Sequence, residues 1–276
     1  MVPVFTLNNG VRMPALGMGT YPLNGVRLTG LVAGALHIGY ELFDTGGAYG
    51  NEIWLGRGLF CSMKRRERYF LTSKVCNRDQ YENLVEEALE LTLRRLRTDY
   101  LDLYLIHWPV PELFPETWLT LVKMQKQGKI RAIGVANFHQ HHLEALAQVS
   151  DVVPAVNQVE LHPLLSQQPL REYCQARGIQ LEAYSPVARM HEKLIQDPRW
   201  PDLVSRYGKS IPQLILRWDF QHGVIPVPKA SSLRRLRENL SIFDFELSEK
   251  DMAVIDGMNC DFRVRYDPDH CDMTRL

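Results

Sequence analysis

The sequence predicts an α/β protein whose parallel strands close into a (β/α)8 TIM barrel. Short apolar runs alternate with helix-like segments through the chain of 276 residues, giving eight strand–helix units. The runs are apolar at nearly every position, which is typical of strands buried on both faces of a parallel sheet. Eight such units form a barrel of about 250 residues, so we expect one domain over residues 1–276.

The eight strands are predicted from apolar runs that lie between turn residues or helical segments. The run 101–107 (LDLYLIH) is typical, because it is short and apolar with breaks on both sides. The predicted strands are residues 15–19, 41–44, 69–74, 101–107, 130–135, 154–159, 179–184 and 224–227.

The helices are predicted from apolar residues spaced three and four apart. In residues 79–97, Leu84, Ala88 and Leu91 share one face, and the start resembles a capping box. Pro115 suits the first turn of the helix after the fourth strand, and Gly128 suits its end. The other predicted helices are residues 25–37, 51–60, 139–149, 167–176, 211–220 and 232–240.

Two local patterns at the start of the chain bear on the architecture. A doubly wound open sheet would favour a Gly-x-Gly-x-x-Gly loop, but the nearest candidate, residues 17–22 (GMGTYP), lacks the last glycine. Asn9 and Gly10 stand between two short extended runs and predict a type I′ turn. We therefore expect an N-terminal β-hairpin that closes the bottom of the barrel.

The composition excludes several classes of protein. Lys+Arg and Asp+Glu both number 32, and 45% of residues are hydrophobic, which argues against disorder and against nucleic acid as the main partner. No run reaches the roughly 20 apolar residues that a membrane span needs, and the start does not resemble a signal peptide. The five cysteines are scattered without a Cys-x-x-Cys pair, so we expect free thiols and a cytoplasmic location.

Polar residues follow the apolar strands at the barrel end where chemistry is expected. Asp44, Lys74 and His107 end the second, third and fourth strands, and Tyr49 follows in the second loop. A tyrosine can protonate a carbonyl oxygen during hydride attack, a lysine lowers the tyrosine pKa, an aspartate holds the lysine, and a neutral histidine orients the oxygen. Asn137, Gln158 and Tyr184 end the next three strands.

Alternative interpretations remain open from the residues alone. An Asp–Lys pair is often only structural. Asp44 and Glu160 could act as the two carboxylates of a glycoside hydrolase. The barrel could also be a non-catalytic nucleotide-binding or scaffold protein, because fold does not fix function.

Three histidines, His139, His141 and His142, resemble metal ligands at the start of a predicted helix. The sequence offers no convincing carboxylate or cysteine partner for them. A solvated helix face is therefore favoured, and no metal is expected.

The chain resembles the aldo-keto reductase family over nearly its whole length. The family's motifs are matched at residues 39–52 (GYELFDTGGAYGNE), 71–74 (LTSK), 99–109 (DYLDLYLIHWP), 157–160 (NQVE) and 184–186 (YSP). The resemblance implies the catalytic residues Asp44, Tyr49, Lys74 and His107 and reduction of aldehydes or ketones with NADPH. The short C-terminal tail is similar to the bacterial branch that reduces diketo-sugar acids and small aldehydes.

The resemblance also implies how NADPH is held across the barrel mouth. Tyr184 would stack on the nicotinamide, while Lys229 and Arg235 would meet the 2′-phosphate. Two departures, Ala136 and Ala230, each remove a hydroxyl that the family usually has. The full set of implied cofactor-binding residues is Asn137, Gln158, Tyr184, Ser185, Lys229, Ser231, Arg235, Glu238 and Asn239.

The substrate is expected to be a small carbonyl compound bound by a monomer. Aromatic residues are candidates for the pocket wall, although aromatic residues in such loops are also common packing groups. Two arginines of the tail, Arg263 and Arg265, could favour an anionic substrate, but a solvated tail is the favoured interpretation. The candidate aromatic residues are Tyr21, Trp54, Trp108 and Phe138.

Overall fold

The computed structural model describes residues 2–275; Met1 and Leu276, the ends of the predicted domain, lie outside the described residues. Eight parallel strands form one sheet in chain order, with helices between them. The structure is a (β/α)8 barrel, as predicted. The hairpin strands are Val4–Thr6 (β1) and Arg12–Pro14 (β2), and the barrel strands are Gly17–Gly19 (β3), Leu42–Asp44 (β4), Phe70–Val75 (β5), Leu101–Ile106 (β6), Ile130–Ala136 (β7), Val156–Glu160 (β8), Gln180–Tyr184 (β9) and Ile225–Pro226 (β10).

Twelve α-helices lie in residues 2–275, and none of them is long and apolar enough to cross a membrane. They are Gly25–Ile38 (α1), Glu52–Cys61 (α2), Asn77–Tyr81 (α3), Val85–Leu96 (α4), Phe114–Lys126 (α5), Gln140–Val149 (α6), Gln168–Ala176 (α7), Glu192–Ile195 (α8), Trp200–Tyr207 (α9), Ile211–Gln221 (α10), Leu233–Leu240 (α11) and Glu249–Asp256 (α12).

One helix prediction is wrong in part. Residues 79–97 form two helices, because Asn83 adopts a left-handed conformation with φ of 53° between α3 and α4. The predicted capping box also fails, because Asp79 accepts a hydrogen bond from Cys76 Sγ inside α3 instead of starting a helix. The helices α8, α9 and α12 were not predicted.

The barrel closes where its first and last strands meet. Gly19 N–H donates to Pro228 O at 3.2 Å, although β3 and β10 share no regular ladder. A Cβ on Gly19 would lie 2.6 Å from Val227 O, and one on Gly17 would lie 2.7 Å from Val227 Cγ1. Gly17 and Gly19 thus permit β3 to approach the residues that follow β10. This close packing explains the two glycines without a dinucleotide-binding loop.

The N-terminal hairpin closes the bottom of the barrel, as predicted. Leu7 and Met13 are buried in the inner core with Leu42 and Phe70, which lie at the starts of their strands. The turn differs from the prediction: Gly10 N–H donates to Leu7 O, and Leu7 N–H donates to Val11 O. The loop therefore has three residues with only Gly10 at positive φ, so the type I′ turn is wrong.

Candidate active site

A buried ion pair lies where β4 and β5 end. Lys74 Nζ donates to both carboxylate oxygens of Asp44, at 2.8 and 2.6 Å, and to Thr45 O at 2.8 Å. Burial is the largest single influence and lowers the pKa of Lys74, but the charges of Asp44 and Tyr49 together with the hydrogen bond to Asp44 outweigh it, and the net shift is upward. The lysine therefore stays charged beneath the barrel mouth.

Tyr49 ends a 3₁₀ turn, Gly47–Tyr49, that follows β4. Its phenolic oxygen accepts a hydrogen bond from Lys74 Nζ at 3.3 Å. Burial raises the pKa of Tyr49 above 10, and the lysine charge offsets that rise only in part. The expectation of a lowered tyrosine pKa is therefore wrong in net direction. Tyr49 keeps its proton at neutral pH, and Lys74 reduces the cost of releasing it.

His107 follows β6 directly, and its ring lies 5.6 Å from the Tyr49 ring between centroids. Burial lowers its pKa to about 3, with Lys74 and Arg265 acting in the same direction. The imidazole is therefore neutral and carries one N–H. Within residues 2–275 neither ring nitrogen has a hydrogen-bond partner, so that N–H is available to a ligand.

Glu182 is a buried member of the site that the sequence did not indicate. Gln158 Nε2 donates to Asp44 Oδ2 at 2.9 Å and to Glu182 Oε2 at 2.6 Å, which uses both amide hydrogens. Burial, with the charge of Asp44, raises the pKa of Glu182 to about 8. Its signal in the sequence was a single acidic residue inside an apolar strand.

Asn137 and Tyr184 are joined by a hydrogen bond across the barrel mouth. Tyr184 OH donates to Asn137 Oδ1 at 2.7 Å, and Asn137 Nδ2 donates to His107 O at 2.9 Å. Asn137 and Ser185 both have positive φ, 65° and 49°. These bonds fix the Tyr184 ring while leaving one amide hydrogen of Asn137 free.

The C-terminal tail crosses the site through Glu160, at the end of β8. The Glu160 carboxylate accepts backbone N–H groups of Val264 at 2.6 Å and Arg265 at 3.0 Å, and contacts His162 Nε2 at 3.0 Å. Glu160 is thus a structural anchor for the tail, with both oxygens occupied. This bonding removes support for Glu160 as a hydrolytic carboxylate.

The two tail arginines have different surroundings. Arg263 Nη2 lies 3.0 Å from His139 Nε2, and its Nε lies 3.9 Å from Asp267. Arg265 packs its guanidinium over the Tyr266 ring and has no ion-pair partner within residues 2–275. Its charge lowers the pKa of His107, so Arg265 is the tail arginine that acts on this histidine.

The residues expected at the 2′-phosphate lie around the start of α11. Lys229 and Arg235 are exposed, and neither forms an ion pair in the described part of the chain. Glu238 is exposed and lies 3.5 Å from Arg234. Asn239 is buried, and Ser231 is held through its carbonyl by Arg27 Nη2 at 3.0 Å.

The four aromatic residues that are candidates for the substrate pocket differ in their exposure and in their neighbours. Tyr21 is 48% exposed with its ring 5.1 Å from Tyr49, and Trp108 lies 6.3 Å from His107. Trp54 packs against the outer core on α2 with Arg57 over its ring. Phe138 needs correction: it is wholly buried against Phe114, so it presents no surface to a substrate.

Comparisons with known proteins agree on one family. Residues 15–259 match the model of the Aldo/keto reductase family. The chain is 48% identical to the glyoxal reductase of Bacillus subtilis (strain 168), covering 95% of each chain. It is 37% identical to a methylglyoxal reductase of Escherichia coli O157:H7, covering 96% of this chain and 97% of the relative.

A solved structure gives the same result. The crystal structure of a Bombyx mori aldo-keto reductase in complex with NADP superposes with a TM-score of 0.90 at 32% identity, covering 98% of this chain and 96% of the other.

Proposed function

Because the chain belongs to the aldo/keto reductase family and is an oxidoreductase, we propose that it reduces aldehydes and ketones with NADPH and that Tyr49 is the general acid. One observation carries the assignment of the acid. The Tyr49 and His107 rings are neighbours, 5.6 Å apart between centroids, and the Tyr49 oxygen contacts the buried ammonium of Lys74. The pair offers two donors to one carbonyl oxygen.

The residues present fit NADPH, which supplies the hydride when bound. Gln158 has spent both amide hydrogens on carboxylates, so its Oε1 is left to accept the carboxamide N–H₂. Asn137 retains an amide hydrogen for the carboxamide oxygen, and the Tyr184 ring is fixed for stacking. Lys229 and Arg235, which have no ion-pair partner within residues 2–275, supply two charges for the 2′-phosphate, and Ser231 lies between them in the chain.

The catalytic residues divide the work on the carbonyl oxygen. Neutral His107 donates one hydrogen bond that orients the oxygen beside Tyr49. Tyr49 then transfers its proton to the oxygen as negative charge develops there. Lys74, held by Asp44, stabilises the resulting tyrosinate. A carbonyl becomes an alcohol, with one proton taken from the protein.

The substrate class proposed is small aldehydes and ketones. The two relatives named above act on glyoxal and methylglyoxal by their names, and Tyr21 offers an exposed aromatic ring beside Tyr49, while Trp108 is largely buried next to His107. The placement of Trp54 in the wall of the substrate pocket and a monomeric state remain predictions. Two-carboxylate hydrolysis gains no support, because Asp44 is bound to Lys74.

Replacement of Tyr49 by phenylalanine tests the proposal. Tyr49→Phe keeps the ring and removes the transferable proton, so single-turnover reduction of methylglyoxal should fall by roughly 10²-fold or more. NADPH affinity, measured by fluorescence quenching, should change little. Tyr81→Phe, on the exposed face of α3, is the control and should retain full activity. Turnover near that of the wild type in Tyr49→Phe would remove Tyr49 from the mechanism.

A further inference from the structure

Three histidines at the start of α6 meet a carboxylate that the sequence did not indicate. Asp269 lies in the C-terminal tail, 130 positions from His139, yet its carboxylate contacts His139, His141 and His142. One ligand atom from each of the four residues lies within 4.8 Å of the others. The fold therefore supplies the partner whose absence argued against a metal site.

Three of these atoms are spaced like ligands on one face of a tetrahedral cation. His141 Nε2 and His142 Nε2 are 3.1 Å apart, and they lie 3.2 and 3.4 Å from Asp269 Oδ1. Metal–ligand bonds of about 2.0–2.1 Å place tetrahedral ligands about 3.3–3.4 Å apart. A zinc ion fits this triangle with small adjustments. The His141 side chain is 60% exposed, so water can reach a fourth position.

His139 acts on the carboxylate rather than on the cation. Its Nε2 lies 3.0 Å from Arg263 Nη2, and an arginine can only donate, so Nε2 is the acceptor. The His139 proton is then on Nδ1, which donates to Asp269 Oδ2 at 2.7 Å. This bond orients Asp269 and leaves Oδ1 facing the other two histidines, as outer-shell partners do in metal sites.

We propose that His141, His142 and Asp269 bind Zn²⁺, or a similar borderline divalent cation, and thereby fasten the C-terminal tail to α6. Two imidazoles with one carboxylate suit zinc, copper or nickel better than magnesium or calcium, which prefer oxygen ligands. The tail is already anchored at Val264 and Arg265 by Glu160. The metal adds a second anchor beyond that point, so the tail is held on both sides of residues 266–268.

One local change accompanies binding. His142 Nδ1 accepts the backbone N–H of His139 at 3.1 Å, so the neutral ring carries its proton on Nε2. Coordination through Nε2 moves this proton to Nδ1 and breaks that hydrogen bond. The freed N–H belongs to His139, the residue just before α6, where water can replace the lost partner.

Zinc titration of untagged, EDTA-treated and dialysed protein tests the site. The wild type should bind one Zn²⁺ per chain by isothermal titration calorimetry, and Mg²⁺ should give no signal at the same concentration. His141→Ala and Asp269→Asn should each weaken binding by about 10-fold or more, since loss of even an outer-shell partner has that effect. His37→Ala, which removes an exposed histidine of α1, should bind like the wild type.

Hydrogen exchange of the tail amides gives the second measurement. Zn²⁺ should slow exchange in residues 263–270 of the wild type and of His37→Ala, but not of His141→Ala. Undiminished zinc binding in either cluster variant would place the ion elsewhere, for example on a free cysteine, and overturn the site. If the cluster variants lost zinc binding but Zn²⁺ left the exchange of the tail amides in the wild type unchanged, the anchoring role would be overturned.

Discussion

At the scale of single residues, the neutral state of His107 bears on which residue donates the proton. We expect His107 to orient the carbonyl oxygen and Tyr49 to transfer the proton. Burial first, then Lys74 and Arg265, lowers its pKa to about 3, so the imidazolium is absent between pH 5 and 8. The single-turnover rate of reduction should therefore show no step near pH 6.5. His107→Gln keeps an N–H donor and should retain more activity than His107→Ala, by roughly the 10-fold that one good hydrogen bond provides.

The opposite assignment has its own signature. If His107 supplied the proton, the glutamine and alanine variants would lose activity equally in single turnover. A step near pH 6.5 in the wild-type profile would then vanish in both variants. Single-turnover rates are needed because cofactor release can otherwise limit turnover.

We expect the tail to select a substrate through Arg265. Its guanidinium has no ion-pair partner in the described chain, and its charge reaches His107. We expect Arg265→Gln to lower kcat/KM for glyoxylate by about 10- to 150-fold, the value of one charge-assisted hydrogen bond. Glyoxal, which is neutral and of similar size, should be affected much less.

Arg275→Gln is the matched control for this comparison. Arg275 is also a tail arginine, but it is exposed and paired with Asp272 at 3.1 Å. It should not change the ratio of kcat/KM between glyoxylate and glyoxal. An equal loss on both substrates in Arg265→Gln would mean that Arg265 acts through the catalytic groups and not by binding the substrate carboxylate.

The sequence was sufficient to predict which side chains meet where neighbouring strands end. It was not sufficient to predict pKa shifts or side-chain orientations that depend on burial. Asp44 and Lys74 lie together because adjacent parallel strands end at the same edge. The net pKa shift of Tyr49 depends on how much water the fold removes, which no local pattern encodes. Phe138 was misassigned for the same reason, since an aromatic after a strand can face either the mouth or the core.

At the scale of secondary structure, every barrel strand was predicted, whereas one predicted helix is divided in two and three helices were missed. Strand periodicity and burial are strong signals, whereas the break at Asn83 depends on one residue adopting positive φ. The hairpin illustrates the same limit. Asn8 Nδ2 donates to Pro154 O, in the loop before β8, and Asn9 Nδ2 donates to Arg131 O on β7, so contacts with the barrel accompany the three-residue loop.

The helix α11 allows a test of cofactor choice. Arg235 is exposed near its start without a carboxylate partner in residues 2–275. Arg235→Ala should weaken NADPH binding by about 10- to 150-fold and leave NADH binding nearly unchanged. Fluorescence titration with both cofactors measures this. Arg234→Ala is the control, because the neighbouring arginine pairs with Glu238. Equal losses for the two cofactors would show that Arg235 does not read the phosphate.

At the scale of the whole molecule, the barrel holds a set of charges that its interior must balance. Asp44 and Lys74 compensate each other, while Glu182 lies beside them with no cation of its own. Within the described residues Glu182 Oε1 has no hydrogen-bond partner. An ionised Glu182 would leave an extra negative charge in the barrel, and this cost is what raises its pKa.

The stability of the fold should therefore depend on pH through Glu182. In the unfolded chain this carboxyl loses its proton near pH 4.5, whereas in the fold its pKa is about 8. The folded state binds more protons between these values, so its free energy of unfolding falls as pH rises through this window, by up to about 1.4 kcal/mol per pH unit. Above pH 8 the loss is complete.

Glu182→Gln isolates this contribution, because it keeps the shape and cannot ionise. The variant should gain stability relative to the wild type steadily from pH 5 to pH 8, and the difference should level off above that. Urea unfolding midpoints at several pH values measure it, with Glu87→Gln on the exposed face of α4 as a control that should show no such trend. The other titrating groups cancel between the two proteins, since they are present in both. A difference that stays constant over the whole range would mean that Glu182 is already ionised in the fold, and that Gln158 and Lys74 stabilise its charge.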